Sequence, residues 1–226
     1  MLPSERYWPL PELDRVEIEY TVSDLWADTG ADPDEEHVQR IFGEITGVVC
    51  ADDGSSAFVR LGSLALARID LDRLDEEDES LLDLLDATSS EWVNSYGIVD
   101  LDDTGLCDGL RYVLIADRVE LRREARGRGL GLHALARALR TWARDDTLVV
   151  LAAASIEHEL DDSTREARRE GSRKLARYWA KLGMKRIPGS TQPEPVMYAR
   201  GDWRIFAEAL RKYSAWESPL TACVAR

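Results

Sequence analysis

Arg126-Gly127-Arg128-Gly129-Leu130-Gly131 stands between the apolar run Tyr112 to Leu121 and the amphipathic stretch Leu132 to Ala143. A strand, a glycine-rich loop and a helix in that order build a socket for an anion. Glycine adopts positive φ without a steric penalty and lets a ligand approach the backbone closely. The first N–H groups of the following helix lack intrahelical partners and point at that ligand. Arg126 and Arg128 add positive charge at the same place.

Working outward from the loop, Leu132, Leu135, Ala136, Leu139 and Trp142 recur at helical spacing and predict one buried stripe. Thr147 to Ala154 is a continuous apolar run bounded by polar residues, which suits a strand buried on both faces. Residues 156–170 are charge-dense and read as a mobile loop or an exposed helix. Ser172 to Leu182 reads as a helix that Gly183 ends. Pro195 to Ala199 is the last strand expected and Trp203 to Tyr213 the last helix.

Upstream, Val16 to Tyr20 alternates apolar and acidic residues, as an exposed strand does. Ile45 to Cys50 and Ala57 to Ile69 are β-leaning runs, and Asp52-Asp53-Gly54-Ser55-Ser56 between them predicts a hairpin. Asp75 to Glu79 is a run of carboxylates that suits a solvated helix start, at the positive end of the helix dipole. Consecutive side chains diverge, which argues against a metal site there. Leu81, Leu82, Leu85, Trp92, Val93 and Tyr96 keep to one helical face, and Asp100 to Gly109 is an acidic loop. Strands alternating with helices in the second half predict an α+β fold (α/β with a mixed sheet). The expected organisation is an arm and first strand over 1–36, the main domain over 37–201, and a C-terminal helix and tail over 202–226.

The chain of 226 residues carries a formal charge of -14. That length suits one well-buried core. Nucleic acid is recognised through clustered Lys and Arg, so the acidic balance counts against it as a partner. Amine substrates are electrostatically favoured by such a balance, although acidity also serves plain solubility. Cys50, Cys107 and Cys223 are widely spaced and match neither a disulfide framework nor a metal-ligand pattern. No apolar run is long enough to span a bilayer, and Met1 to Trp8 lacks a signal core, so a cytoplasmic protein is expected.

The anion can be narrowed. A nucleoside triphosphate calls for Gly-Lys-Ser/Thr at the end of the loop, and neither the lysine nor the hydroxyl is present. A dinucleotide calls for G-x-G-x-x-G, and after Gly127 and Gly129 the third position is Leu132. A pyrophosphate with a long tail running back along the strand remains, and coenzyme A fits that description.

On these residues the chain resembles the GNAT acetyltransferase superfamily. Its signature places Arg or Gln, two residues, Gly, one residue, then Gly or Ala between the fourth strand and the third helix. Arg126, Gly129 and Gly131 meet it, and Lys181-Leu182-Gly183-Met184 closes a later helix in the same manner. The resemblance covers roughly Arg111 to Gly201. It implies a central twisted mixed sheet flanked by helices, whose fourth strand is bulged and splays from the fifth at the cofactor site. It further implies that Val119, Glu120 and Leu121 pair with the pantetheine amides. The loop Arg126, Gly127, Arg128, Gly129, Leu130, Gly131 and Leu132 would cradle the pyrophosphate. A strand N–H left unpaired by the splay would stabilise the tetrahedral oxyanion.

The resemblance also marks a departure. The tyrosine that commonly protonates the leaving thiolate stands four residues before the closing glycine, and here that position is Trp179. An indole N–H is no proton source near neutrality. Tyr178 precedes it, rotated by about 100° around the helix, and is either the acid or a core aromatic. Where the family often has a cofactor-contacting asparagine, this chain has Ser172. Candidates for the base are Glu120, Glu157 and Glu159, with His158 and His133 plausible by chemistry, and a water chain could replace them.

The resemblance therefore implies an acyl-CoA-dependent N-acyltransferase, with acetyl-CoA as cosubstrate and no metal, acting on a small-molecule or peptide amine. A homodimer is compatible with it. Two rivals stay open: a GNAT-like acyl-CoA sensor or interaction module with little catalysis, and an acetyltransferase acting on aminoacyl-tRNA.

Overall fold

The computed structural model describes residue 13 and residues 15–24, 38–50, 54–76, 80–88, 105–154, 165–188 and 195–213. Chain order runs β1 (Arg15–Asp24), β2 (Val38–Cys50), β3 (Ser56–Asp70), α1 (Leu71–Glu76), α2 (Leu81–Thr88) and β4 (Tyr112–Leu121). It continues with a 3₁₀ turn (Arg123–Ala125), α3 (Leu130–Trp142), β5 (Thr147–Ala152) and α4 (Arg165–Trp179). A second 3₁₀ turn (Ala180–Leu182), β6 (Lys185–Arg186), β7 (Val196–Arg200) and α5 (Trp203–Tyr213) complete it.

The strands form one mixed seven-stranded sheet in the order β1-β2-β3-β4-β5-β7-β6. Neighbours are antiparallel except β4 and β5, which run parallel. The fold class is therefore α+β with a mixed sheet, as the alternation of elements in the second half predicts. The expected hairpin also forms between β2 and β3, with Gly54 at φ 83° ahead of β3.

Each sheet face has its own core. Leu114 and Ala116 of β4 pack with Ile41, Ile45, Leu64 and Leu66 against α3 and Phe206 of α5. Val113 and Ile115 face the other way, into a cluster with Ile69, Leu74, Leu84 and Leu85 from the side of α1 and α2. Period-2 alternation along β4 thus feeds both faces.

Helix α3 is more buried than one stripe predicts. Leu130 through Ala136 are all buried, as are Ala138 and Leu139, because the sheet lies on one side and α5 on another. Full burial of leucines such as Leu132, Leu135 and Leu139 stabilises by about 1.5–3 kcal/mol each. That outweighs the roughly 1 kcal/mol by which a glycine disfavours a helix relative to alanine. Arg137 on α3 donates to the carbonyl of Val16 at 2.8 Å and ties the helix to β1.

One local reading changes. The acidic run at 75–79 does not open the next helix: Asp75 and Glu76 end α1, and α2 starts after Ser80. There the Ser80 hydroxyl accepts the N–H of Asp83 at 3.0 Å and donates to its carboxylate at 2.6 Å, a cap of the usual N-terminal kind. The helical face expected to run to Tyr96 is described only as far as Thr88, and Trp92, Val93 and Tyr96 lie outside the described residues. No helix among the described residues is long and apolar enough to cross a membrane.

Candidate functional site: the β4–α3 anion loop

The site begins with a fault in β4. Arg118 pairs with Ala65 and Ala116 with the next β3 residue, Leu66, so Asp117 is the inserted residue of a bulge. A bulge shifts which residues face which side. Before it Leu114 and Ala116 face the α3 core, and after it Val119 and Leu121 do. Glu120, between them, is exposed.

The bulge coincides with the end of pairing to β5. The parallel ladder runs from Tyr112 opposite Thr147 to Ile115 opposite Val150 and stops, although β4 continues to Leu121. On its other edge β4 stays paired to β3 as far as Leu121 opposite Gly62. That approach demands glycine, because a Cβ on Gly62 would run into the Glu120 carbonyl and come within 2.9 Å of the Leu121 Cα. β4 is thus held to β3 while it parts from β5, and a cleft edge of strand is left beside the loop.

After β4 the chain turns tightly. Arg122 N–H donates to the Leu61 carbonyl at 2.8 Å, and the 3₁₀ turn buries Ala125. The Arg126 guanidinium folds back, its Nε donating to the Leu121 carbonyl at 2.9 Å. Gly127 and Gly129 both sit at φ 79°, in the left-handed region that favours glycine. Gly129 is the N-cap, and the first intrahelical bond runs from His133 N–H to its carbonyl at 3.1 Å. The amides of Leu130, Gly131 and Leu132 therefore lie in the first turn, before the intrahelical ladder begins.

One of those donors is taken by a side chain. The Leu132 N–H donates to the Tyr178 hydroxyl at 3.1 Å, which joins the end of α4 to the start of α3. Tyr178 and Trp179 stack edge to face with ring centroids 4.8 Å apart. Trp179 is 8% exposed and belongs to the core, and Ser172 on the same helix is 3% exposed. His133 is buried within α3.

The predicted residues thus fall into groups. Val119, Glu120 and Leu121 line the strand end, and Arg126 to Leu132 form the loop and helix start. Tyr178 reaches that start through its hydroxyl. Glu157, Glu159 and His158 lie outside the described residues.

Sequence reasoning passed over the charge of α4. Arg168, Arg169, Arg173, Lys174 and Arg177 are exposed along it and Lys181 in the turn that follows, and Arg122, Arg123, Arg126 and Arg128 are exposed around the loop. Glu170 bridges Arg173, Lys174 and Arg177 at 3.5–4.0 Å. Such exposed pairs contribute little to stability. The recurrence of Arg and Lys over 165–181 was the available signal, hidden inside an acidic total.

A cavity lies elsewhere, at the opposite end of β4. Its volume is about 580 Å³, with Leu74, Leu81 and Cys107 on its apolar side and Asp72, Asp108 and Asp146 among its acids. Arg111 at its edge bonds Asp70 at 3.4 Å, and that hydrogen bond holds the guanidinium pKa above the ordinary arginine value. Among the described residues no group of His, Cys, Asp and Glu is arranged to hold a metal ion.

No protein-family model matches the chain, and no curated protein or solved structure shows significant similarity to it.

Proposed function

We propose that this chain is an acyl-CoA-dependent N-acyltransferase of the GNAT type, transferring acetyl from acetyl-CoA to an amine by direct attack. The observation that carries the reading is the parting of β4 from β5 after Ile115, beside a helix start built on two left-handed glycines. An anion socket and an open strand edge in line suit a ligand with a diphosphate at one end and amides along its tail. The exposed cations of the loop and α4 supply local positive potential within a chain of charge -14.

In this reading the backbone from Gly127 to Leu132 holds the diphosphate and the Val119–Leu121 edge pairs with the pantetheine amides. The attacking amine adds to the thioester carbonyl, and the negative charge that develops on its oxygen is met by a backbone N–H of the open edge. The tetrahedral intermediate collapses with loss of the thiolate. The amine proton passes to a base, for which Glu120, exposed on the cofactor strand, and Glu157 are the candidates. No step calls for a metal.

A second reading is favoured by one observation. Trp179, in the position where the resemblance expects a proton-donating tyrosine, is packed into the core. A protein that binds acyl-CoA as a sensor has no use for that proton.

The test is calorimetry with acetyl-CoA and CoA, followed by a thiol-release screen over polyamines, amino acids, aminoglycosides, peptides and aminoacyl-tRNA. Binding with amine-dependent thiol release is the expected result. Binding without release across the panel selects the sensor, and no binding at millimolar cofactor overturns both.

A further inference from the structure

We propose that the exposed cationic face of α4 is a docking surface for the phosphate backbone of an RNA, and that it brings an amine at the RNA's 3′ end to the β4–α3 loop. Acylation of that amine rests on the acyl-CoA reading, whereas the docking surface stands without it.

Charge is segregated in this chain. Residues 165–186 hold nine Arg and Lys against Glu166 and Glu170, a charge of +7, so the remaining residues carry -21. An acidic surface repels a polyanion, and a basic strip set within it decides where the polyanion lands.

The strip is ordered. Arg169, Arg173 and Arg177 recur at every fourth residue of α4 and form one exposed row on the helix, with steps of about 6 Å along its axis. Lys181, also exposed, continues the interval in the turn that follows. Glu170 bridges Arg173, Lys174 and Arg177 and offsets only one of their charges. A polymer with one negative charge per repeat unit matches such a row, and the guanidinium fork fits phosphate oxygens.

The opposite side of α4 argues against a membrane. Leu175, Ala176, Tyr178 and Trp179 pack in or against the protein's own core, and a helix that lies in a bilayer surface needs that face for the acyl chains.

The row also leads to the loop. Lys181 Nζ lies 5.7 Å from the Tyr178 ring centroid, and the Tyr178 hydroxyl accepts the Leu132 N–H at 3.1 Å, so the row ends against the first turn of α3. Arg126 and Arg128 are exposed on the loop before that turn. An RNA can carry the acceptor of the proposed reaction, because the vicinal hydroxyls at its 3′ end take an amino acid in ester linkage. The α-amine of that ester attacks the thioester carbon, the C–N bond forms and the C–S bond breaks. CoA leaves as the thiolate, and one amine proton goes to a base.

The test measures binding of a fluorescently labelled, unacylated tRNA by anisotropy across a salt series. Arg169→Ala/Arg173→Ala/Arg177→Ala is compared with Arg60→Ala/Arg140→Ala/Lys212→Ala, which removes the same charge from exposed positions elsewhere. The row variant is expected to lose about tenfold or more in affinity at moderate salt and about 2–3 units of the log–log salt slope, with the control near wild type. Wild type that binds no tRNA at low salt, or equal loss in the two variants, overturns the proposal. So does binding to phosphatidylserine vesicles in preference to tRNA. With acetyl-CoA, aminoacyl-tRNA should be acetylated faster than the same amino acid as its ethyl ester, and the row variant should lose that advantage; equal rates in wild type overturn the delivery of the amine. The two readings fail separately. CoA binding without tRNA binding overturns the docking surface alone, and tRNA binding along the row without CoA binding overturns the acyl-CoA reading alone.

Discussion

Gly129 is a single residue on which backbone geometry and ligand chemistry meet. At φ 79° it is the N-cap of α3, and a residue with a Cβ pays about 1–2 kcal/mol to adopt that conformation. On the proposed acyl-CoA reading, glutamate there adds a carboxylate where the diphosphate would be held. The account predicts that Gly129→Glu abolishes CoA binding while the protein stays folded. Calorimetry and a circular-dichroism melt check this, and a variant that bound CoA normally would move the anion site elsewhere. Gly129, Gly127 and Gly131 were legible in the sequence because their spacing is local. The separate reasons for them were not: two have left-handed backbones, whereas the third makes room for a hydroxyl 47 residues further along the chain. Gly62 belongs with the third, since only the approach of β3 to the Glu120 carbonyl explains it.

Among elements, β4, α3 and β5 could be read from sequence because each carries an apolar run or a helical apolar stripe of its own. The bulge at Asp117 could be expected from resemblance but not located, since the charged pair Asp117-Arg118 that interrupts the apolar run is also what a solvent-facing strand end shows. The two-residue β6 exists only through its pairing with β7, a long-range contact that carries no local signal. Helix α4 shows a different failure. Its start falls within a stretch read as a charge-dense loop or exposed helix, and its cations disappear into the overall charge. Replacing Arg173, Lys174 and Arg177 together with alanine is expected to weaken CoA several-fold at low salt and to flatten the salt dependence of binding. The melting temperature should barely move, because their pairs with Glu170 are exposed. A wild-type salt slope in the triple variant would exclude the α4 face from the site's electrostatics.

At the scale of the molecule, the sheet gives the protein two ends. At one, β4 parts from β5 and the Arg126–Gly131 loop opens α3. At the other, Asp72, Asp108 and Asp146 border a cavity of about 580 Å³. The cavity offers enclosed volume, while the arrangement of backbone donors favours the loop. The two ends can be separated in one experiment, since amide signals of a ¹⁵N-labelled sample report binding residue by residue. On titration with CoA, the account predicts that the amides of Gly127, Gly129, Leu130, Gly131 and the Val119–Leu121 edge shift first and furthest. Shifts confined to Asp72, Asp108, Leu110 and their neighbours around the cavity, or no shifts at millimolar CoA, would contradict it.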